Sequence, residues 1–341
     1  MREKEIRPSL EAMKLLRTIL IILINTKPLL EVSTSLSFFL SNVLALGAVP
    51  YLFVVCGYSL NLELKYSNNK RETFINNLKS TLRVYVIWSL IYFVFYDLNY
   101  VNLTNLSNME ILITYLRQFF ILGFHFHLWY LPALMVTMIF VYVGYTYNLE
   151  KKLLSLSIIL YVIALLGSTY FNLIENTPII NRIYTTYYNF FLTFRNGIFY
   201  ALMFGQIGAY ISKERNNLNK NNSLNLTIVT FMLLTGEVML LSNITSANDF
   251  YMMLIPFSYF FFNYLLTLNL NIEKATALVI RDYGSKMYCI QGIFLIFFKD
   301  FNITSTLYFI LVLLSAFLSV FVIRRIISLL DKLLSKQSQL I

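Results

Sequence analysis

Apolar positions in this chain come in long, nearly unbroken runs, and polar positions are confined to the short connectors between them. A helix that crosses a bilayer needs about 20 mostly apolar residues. The pattern predicts ten such helices: Met13–Leu30, Ser37–Leu60, Leu82–Leu98, Leu128–Tyr147, Leu153–Leu173, Phe190–Ile211, Leu224–Leu241, Phe250–Leu270, Tyr283–Phe298 and Ser305–Leu330. The last turns of the tenth run on into water. Glu110–Phe124 is apolar but shorter and carries Arg117, which predicts a re-entrant or interfacial helix. The expected fold is an all-α polytopic integral membrane protein with about 10 transmembrane helices. With no internal repeat and no Pro/Gly-rich linker, residues 1–341 read as a single domain.

Composition sharpens this picture. Of the 341 residues 58% are hydrophobic and 13% charged, where a soluble domain carries about 25% charged residues. Ten spans with short connectors use the whole length, leaving no room for a soluble catalytic domain of about 100 residues. Any chemistry must sit in the helix bundle or at its rim. The first apolar run has no small-residue cleavage site after it and reads as a span, not a signal peptide. Cys56 and Cys289 both lie in apolar runs and read as packing residues.

The net charge of +10 could suggest nucleic acid, but its placement does not. One set of alternate connectors holds Arg2, Lys4, Arg7, Lys14, Arg17, then Lys65, Lys70, Arg71, Lys79, Arg83, then Lys151, Lys152, Lys213, Arg215, Lys220, Lys274, Arg281, and finally Arg324, Arg325, Lys332 and Lys336. The other set holds Lys27, Arg117, Arg182, Arg195 and Lys299, and Lys286 falls within a span. Basic connectors stay on the cytoplasmic side, so both termini are expected in the cytoplasm and the lipid bilayer is the expected partner. Richness in Asn, Lys, Ile and Tyr suggests a low-GC bacterial source and hence a multi-pass protein of the bacterial plasma membrane. The long outer segments Asn99–His127 and Asn172–Asn189 are rich in Tyr, Asn and Phe, which suits an interfacial aromatic belt or a surface for a polar cell-envelope substrate.

Ionisable groups at membrane depth are costly and point to function. Glu11, Lys14 and Arg17 follow one another at three-residue spacing, so Glu11 and Lys14 are expected to pair. Asn25 lies about three turns beyond Lys14, on nearly the same face. Taken alone, the stripe is read first as a snorkelling basic foot with one interhelical amide bond. Arg195, followed by Asn196 and Gly197, suggests a bound anion or a carboxylate partner, for which Glu237 is the candidate. Gln206, Lys286 and Gln291 add polar atoms on other spans. His125 and His127 stand beside Trp129 at the start of the fourth span, as belt residues or as an acid–base pair. No third ligand accompanies them, so no metal site is expected.

Several strings together resemble the acyltransferase family 3 membrane proteins. AVPYLFVVCGYSL at Ala48–Leu60 resembles the pattern that ends the family's second span, and HLWYLPAL at His127–Leu134 its later His-Leu-Trp segment. GSKMYCIQGIF at Gly284–Phe294 resembles its Ser/Tyr/His segment, and Glu11, Lys14 and Asn25 its first-span acidic, basic and His positions. A narrower resemblance, carried by GSTYFNLIENTPIINRIY, FRNGIFYALMFGQIGAYI and SANDFYMMLIP, is to the membrane domain of the serine/alanine racemases of vancomycin-resistance clusters. No counterpart of their racemase domain is read here, so racemase activity is not expected.

The resemblance implies an O-acyltransferase that moves an acyl group from cytoplasmic acyl-CoA, a co-substrate with no bound cofactor, to a cell-envelope glycan or other polar acceptor. Lys14 and Arg17 would engage the donor, Arg195, Glu237, Trp129 and Gln291 the substrates, and Glu11, Asn25 and His127 the chemistry. The chain departs from the family where it matters most. Asn25 and Gln291 stand where the family has His, and an amide cannot accept and return a proton near neutrality. Either the base has moved to His127, or the chain has lapsed into a transporter or binding module for a small polar solute such as serine. In that second case Arg195 and Glu237 would each match one charge of a zwitterion.

Overall fold

The computed structural model describes residues 7–95, 107–214, 219–241 and 249–337. Arg2, Lys4 and Arg215, the positions before Ser107 in the segment Asn99–His127, and Ser246 to Asn248 of the racemase-like string lie outside the described residues, as do the side chains of Lys332 and Lys336. All described secondary structure is helical. The helices are α1 (Pro8–Thr26), α2 (Thr34–Phe38, prolonged by a π-turn Phe39–Leu44), α3 (Ala48–Tyr66), α4 (Lys70–Phe95), α5 (Asn108–Arg117, prolonged by a π-turn Gln118–Leu122), α6 (Tyr130–Tyr147), α7 (Glu150–Leu166), α8 (Pro178–Phe191), α9 (Leu202–Lys213, preceded by a π-turn Gly197–Ala201), α10 (Lys220–Leu241), α11 (Leu254–Thr267), α12 (Lys274–Lys299) and α13 (Ser305–Gln337). Thr34–Tyr66, Tyr130–Tyr147, Lys220–Leu241 and Ser305–Asp331 are long and apolar enough to cross a membrane.

Helix is the form these sequences require, because an apolar surround leaves backbone groups no partner outside their own segment. The embedded hydroxyls follow the same logic. Thr26 donates to Ile22 O at 2.8 Å, Thr137 to Ala133 O at 3.0 Å and Ser258 to Leu254 O at 2.7 Å, each four residues back along its own helix.

The chain forms two compact units, one from Val49–Asn269 and the other from Ile6–Ala48 with Leu270–Ile341. In the second unit α1 and α12 run parallel at close range. Thr18 Oγ1 donates to Gly284 O at 2.8 Å, and a Cβ at Gly284 would lie 2.8 Å from Lys14 O. α13 returns antiparallel, with Ile22, Leu295 and Val312 forming a shared core. Its first turn is clasped by the segment after α1. Leu29 N donates to Thr306 Oγ1 at 2.9 Å and Leu30 N to Ser305 Oγ at 3.1 Å, while the Glu31 carboxylate accepts from Ser305 Oγ and from Thr306 N.

In the first unit α3, α6 and α9 meet through glycine. A Cβ at Gly57 of α3 would lie 1.9 Å from Gly205 O of α9, and one at Gly205 would lie 2.1 Å from Thr137 Cγ2 of α6. Backbones approach this closely only where a side chain is missing. Asn61 Nδ2 ties the same crossing to Ser212 Oγ at 2.6 Å and to Ala209 O at 3.3 Å.

Two stretches differ from the sequence expectation. Phe190–Ile211 is not one helix: α8 ends at Leu192, whose φ is 60°, and a new helix starts at Gly197. The Asn196 side chain caps that start, accepting from Ile198 N and Phe199 N at 3.0 and 3.1 Å. The segment expected as an outer loop, Asn172–Asn189, accordingly holds most of α8. Ser37–Leu60 is likewise divided, between the π-turn after α2 and the start of α3.

A candidate substrate cleft

Polar side chains of the first unit gather where the end of α7, α8 and the start of the π-turn at Gly197 converge. A cavity of about 590 Å³ opens there, lined by Gly167, Ser168, Phe171, Tyr184, Thr185, Tyr188, Asn189, Thr193, Phe194, Arg195, Asp249 and Phe250. This falls in the range of about 300–1,000 Å³ seen for small-molecule sites. One ion pair stands in its wall: Arg195 Nη1 to Asp249 Oδ2 at 3.0 Å. The guanidinium also lies over the Trp129 ring, 5.0 Å from its centroid. Both side chains keep solvent access, at 38% for Arg195 and 46% for Asp249, so each charge can turn toward a ligand.

A short non-helical segment, Phe250–Met253, joins Asp249 to α11, and neighbouring side chains take up its backbone groups. Thr169 Oγ1 donates to Phe250 O. Tyr161 OH donates to Tyr251 O at 3.0 Å and accepts from Tyr251 N at 3.3 Å. Glu237 accepts from Met252 N at 2.6 Å and Met253 N at 2.8 Å, and from Tyr170 OH at 2.5 Å. The expected Arg195–Glu237 partnership is therefore corrected. Glu237 is spent on the backbone entering α11 and on Tyr170, and the carboxylate facing Arg195 is Asp249. Backbone N–H groups at a helix start attract a carboxylate, which is why Glu237 goes there. The racemase-like resemblance places Arg195, Asn196, Glu237 and Asp249 at recurring family positions, without saying which carboxylate faces the guanidinium. The separation of 54 residues between Arg195 and Asp249 carries no periodic signal.

His125 and His127 lie in the turn before α6, where Gly123 adopts φ 77°. Their Nδ1 atoms are 2.5 Å apart, so one must donate and the other accept. His125 stacks on Tyr92 with centroids 4.6 Å apart. Both rings are buried, and burial brings the His125 pKa down to about 4. Two residues on, Trp129 forms the surface under Arg195.

Most of the remaining sequence candidates lie in the second unit; Gln206 is buried on α9 of the first. Glu11 and Lys14 pair at 2.9 Å. Arg17 is 3% exposed and lies over the Tyr288 ring of α12, 5.0 Å from the centroid, with Nη2 3.4 Å from Thr18 Oγ1. Asn25 does not reach out with its amide nitrogen: Nδ2 donates to Ile21 O of its own helix at 2.8 Å. Gln291 is fully buried on α12, and neither of its amide atoms has a hydrogen-bond partner among the described residues. Lys286 pairs with Asp282 at 2.9 Å, and Arg324 of α13 meets the same carboxylate at 2.6 Å. Neither Cys56 nor Cys289 forms a disulfide. Among the described residues no group of three or more His, Cys, Asp or Glu side chains comes together to hold a metal ion.

Comparison with known proteins adds the family context. The profile described as an acyltransferase domain matches residues 7–325. An amino-acid racemase of Enterococcus faecalis is 28% identical over 269 residues, covering 78% of this chain and 37% of that protein. A second amino-acid racemase of the same organism is 26% identical over 276 residues, 77% of this chain and 38% of that protein. A serine/alanine racemase of Enterococcus gallinarum is 30% identical over 193 residues, 54% of this chain and 26% of that protein. The chain thus spans less than two fifths of the length of the racemases it matches. No solved structure matches it.

Proposed function

This chain belongs to the acyltransferase-domain family, matched over residues 7–325, and on that premise we propose that it is a multi-pass protein of the bacterial plasma membrane, with both termini in the cytoplasm, that binds and transports a small zwitterionic solute such as serine. The observation that carries this reading is the Arg195–Asp249 pair in the wall of the 590 Å³ cavity. Arg195 offers a planar fork for a carboxylate, and Asp249 offers an acceptor for an ammonium group. Ser168, Tyr184, Thr185, Tyr188, Asn189 and Thr193 supply hydroxyl and amide partners for a polar side chain. A zwitterion replaces the internal ion pair by two charge-matched contacts. The racemase names of the relatives favour an amino acid as that zwitterion. In the proposed orientation the cavity faces the outside of the cell envelope.

A second reading is favoured by the family and by the His125–His127 pair close to Trp129: O-acyl transfer from cytoplasmic acyl-CoA to a cell-envelope glycan or another polar acceptor. Lys14 and Arg17 would hold the CoA phosphates, Glu11 would orient Lys14, and His127 would take the acceptor hydroxyl's proton. Asn25 and Gln291 supply no such base.

Proteoliposomes carrying the full chain separate the two. Uptake and equilibrium binding of labelled serine are measured for the parent, Arg195→Gln and Asp249→Asn. One charge-assisted contact is worth about 1.5–3 kcal/mol, so each variant should bind about 10- to 150-fold more weakly. Acyl-CoA turnover is followed in the same vesicles with Lys14→Ala, His127→Ala and Asn25→His. Turnover abolished by His127→Ala, with no serine binding by the parent, would overturn the solute reading in favour of the enzyme.

A further inference from the structure

α8 separates the cavity from whatever lies on its far side, and its two faces differ in kind. Tyr184, Thr185, Tyr188 and Asn189 line the cavity. At 100° per residue these four share one face, while Ile179, Ile183 and Phe190 fall together on the opposite one. Those three are 75%, 63% and 58% exposed, a level of apolar exposure that water disfavours. Fourteen residues rise only about 21 Å, too short for a span of about 30 Å.

The height of α8 along the bundle is fixed by its contacts. Tyr184 OH donates to Ile163 O at 2.8 Å, and the Tyr184 ring fills the space at Gly167, where a Cβ would lie 2.3 Å from Cε1. Both anchor points belong to the last turn of α7 and the residue after it. There α7 itself shows an apolar outer surface through Ile159, Val162 and Ile163. α8 therefore lies at the level where a lipid-facing helix ends, not above it. Its one charge is Arg182, and it carries no acidic residue. Arg117 of α5 reaches Phe190 O at 3.4 Å, which brings a second cation to the same helix. Apolar bulk on one face with cations at the margin is the chemistry that suits anionic headgroups above acyl chains.

We propose that α8 is an in-plane helix seated in the lipid leaflet at this end of the bundle, so that a lipid surface covers its Ile179–Ile183–Phe190 face and backs the wall of the cavity. The bilayer is then a component of the site: the helix that shapes the cleft is held in place by lipid on its outer side. This stands whichever solute the cavity takes, so it and the functional reading fail separately.

Nitroxide labels test it in the full chain reconstituted in nanodiscs of phosphatidylcholine and phosphatidylglycerol. Native Cys56 and Cys289 are replaced by Ala, and single cysteines are placed by Ile183→Cys and Phe190→Cys on one face and Thr185→Cys and Asn189→Cys on the other. Power saturation with oxygen and with a water-soluble nickel chelate reads the environment of each. The expected result is oxygen-rich, nickel-poor labels at 183 and 190, at a depth of about 5–10 Å, and the reverse at 185 and 189. Labels at 183 and 190 as open to nickel as 185 would place that face in water and overturn the proposal. Labels shielded from both reagents would also overturn it, showing a protein partner or a second copy instead.

Discussion

Gly57→Ala tests the helix crossing on which the first unit is built. The added methyl would lie 1.9 Å from Gly205 O and 2.8 Å from its carbonyl carbon. The closest comfortable carbon–oxygen separation is about 3.3 Å, so α3 and α9 must part by about 1.4 Å. Both obstructing atoms are backbone, and no rotamer relieves them. Parting the helices also strains the Asn61 bonds to Ser212 Oγ and Ala209 O. Overpacking of this kind costs about 1–3 kcal/mol, and a weakened buried hydrogen bond adds roughly 1 kcal/mol. The expected loss of about 2–4 kcal/mol lowers the folding equilibrium by about 30- to 1,000-fold. Gly236→Ala in α10 is the matched control. Nothing lies within 4 Å of its Cβ position, and alanine improves helix propensity there by up to about 1 kcal/mol. Both variants are unfolded by sodium dodecyl sulfate titration from mild detergent micelles, with helix content followed by circular dichroism. A Gly57→Ala midpoint at or above that of Gly236→Ala would refute the backbone-contact argument.

Two pH effects follow from groups outside the spans. Hydrogen bonds from Ser305 and then Thr306 hold the Glu31 carboxylate down at about 2. Its pKa is lower folded than unfolded, so its contribution is present above the ordinary carboxylate value and fades as pH falls toward 2. Glu31→Gln should therefore speed amide exchange at Thr306 and Leu307 at pH 6, and unchanged exchange would contradict the clasp. For His125, burial favours the neutral ring, with the pKa lowered from 6.5 to about 4. The unfolded chain then binds the extra proton first, so stability is full above 6.5 and falls as pH drops toward 4, by on the order of 3 kcal/mol in all. Detergent unfolding midpoints measured from pH 7.5 to 5 should decline in the parent and flatten in His125→Gln, and parallel curves would count against a buried neutral ring.

Position along the chain determined the helical character of this protein, because the requirement is one-dimensional. A long apolar run must satisfy its own backbone, and all described secondary structure is helical, although Phe190–Ile211 and Ser37–Leu60 are each divided. The Glu11–Lys14 pair was legible for the same reason, since i and i+3 share a face whatever surrounds them. Even the break at Asn196 had a local signal, a capping Asn before Gly within an apolar stretch. α8 was hidden because most of it, rich in Tyr, Asn and Thr, reads as a polar outer segment while its last two residues join the next apolar run, and only its placement against Ile163 and Gly167 shows which face meets the cavity. The partner of Arg195 was decided by tertiary structure alone. Glu237 and Asp249 are equally eligible by charge, and what separates them is that the backbone entering α11 offers Glu237 two N–H donors, leaving Asp249 at the cavity wall to meet the guanidinium.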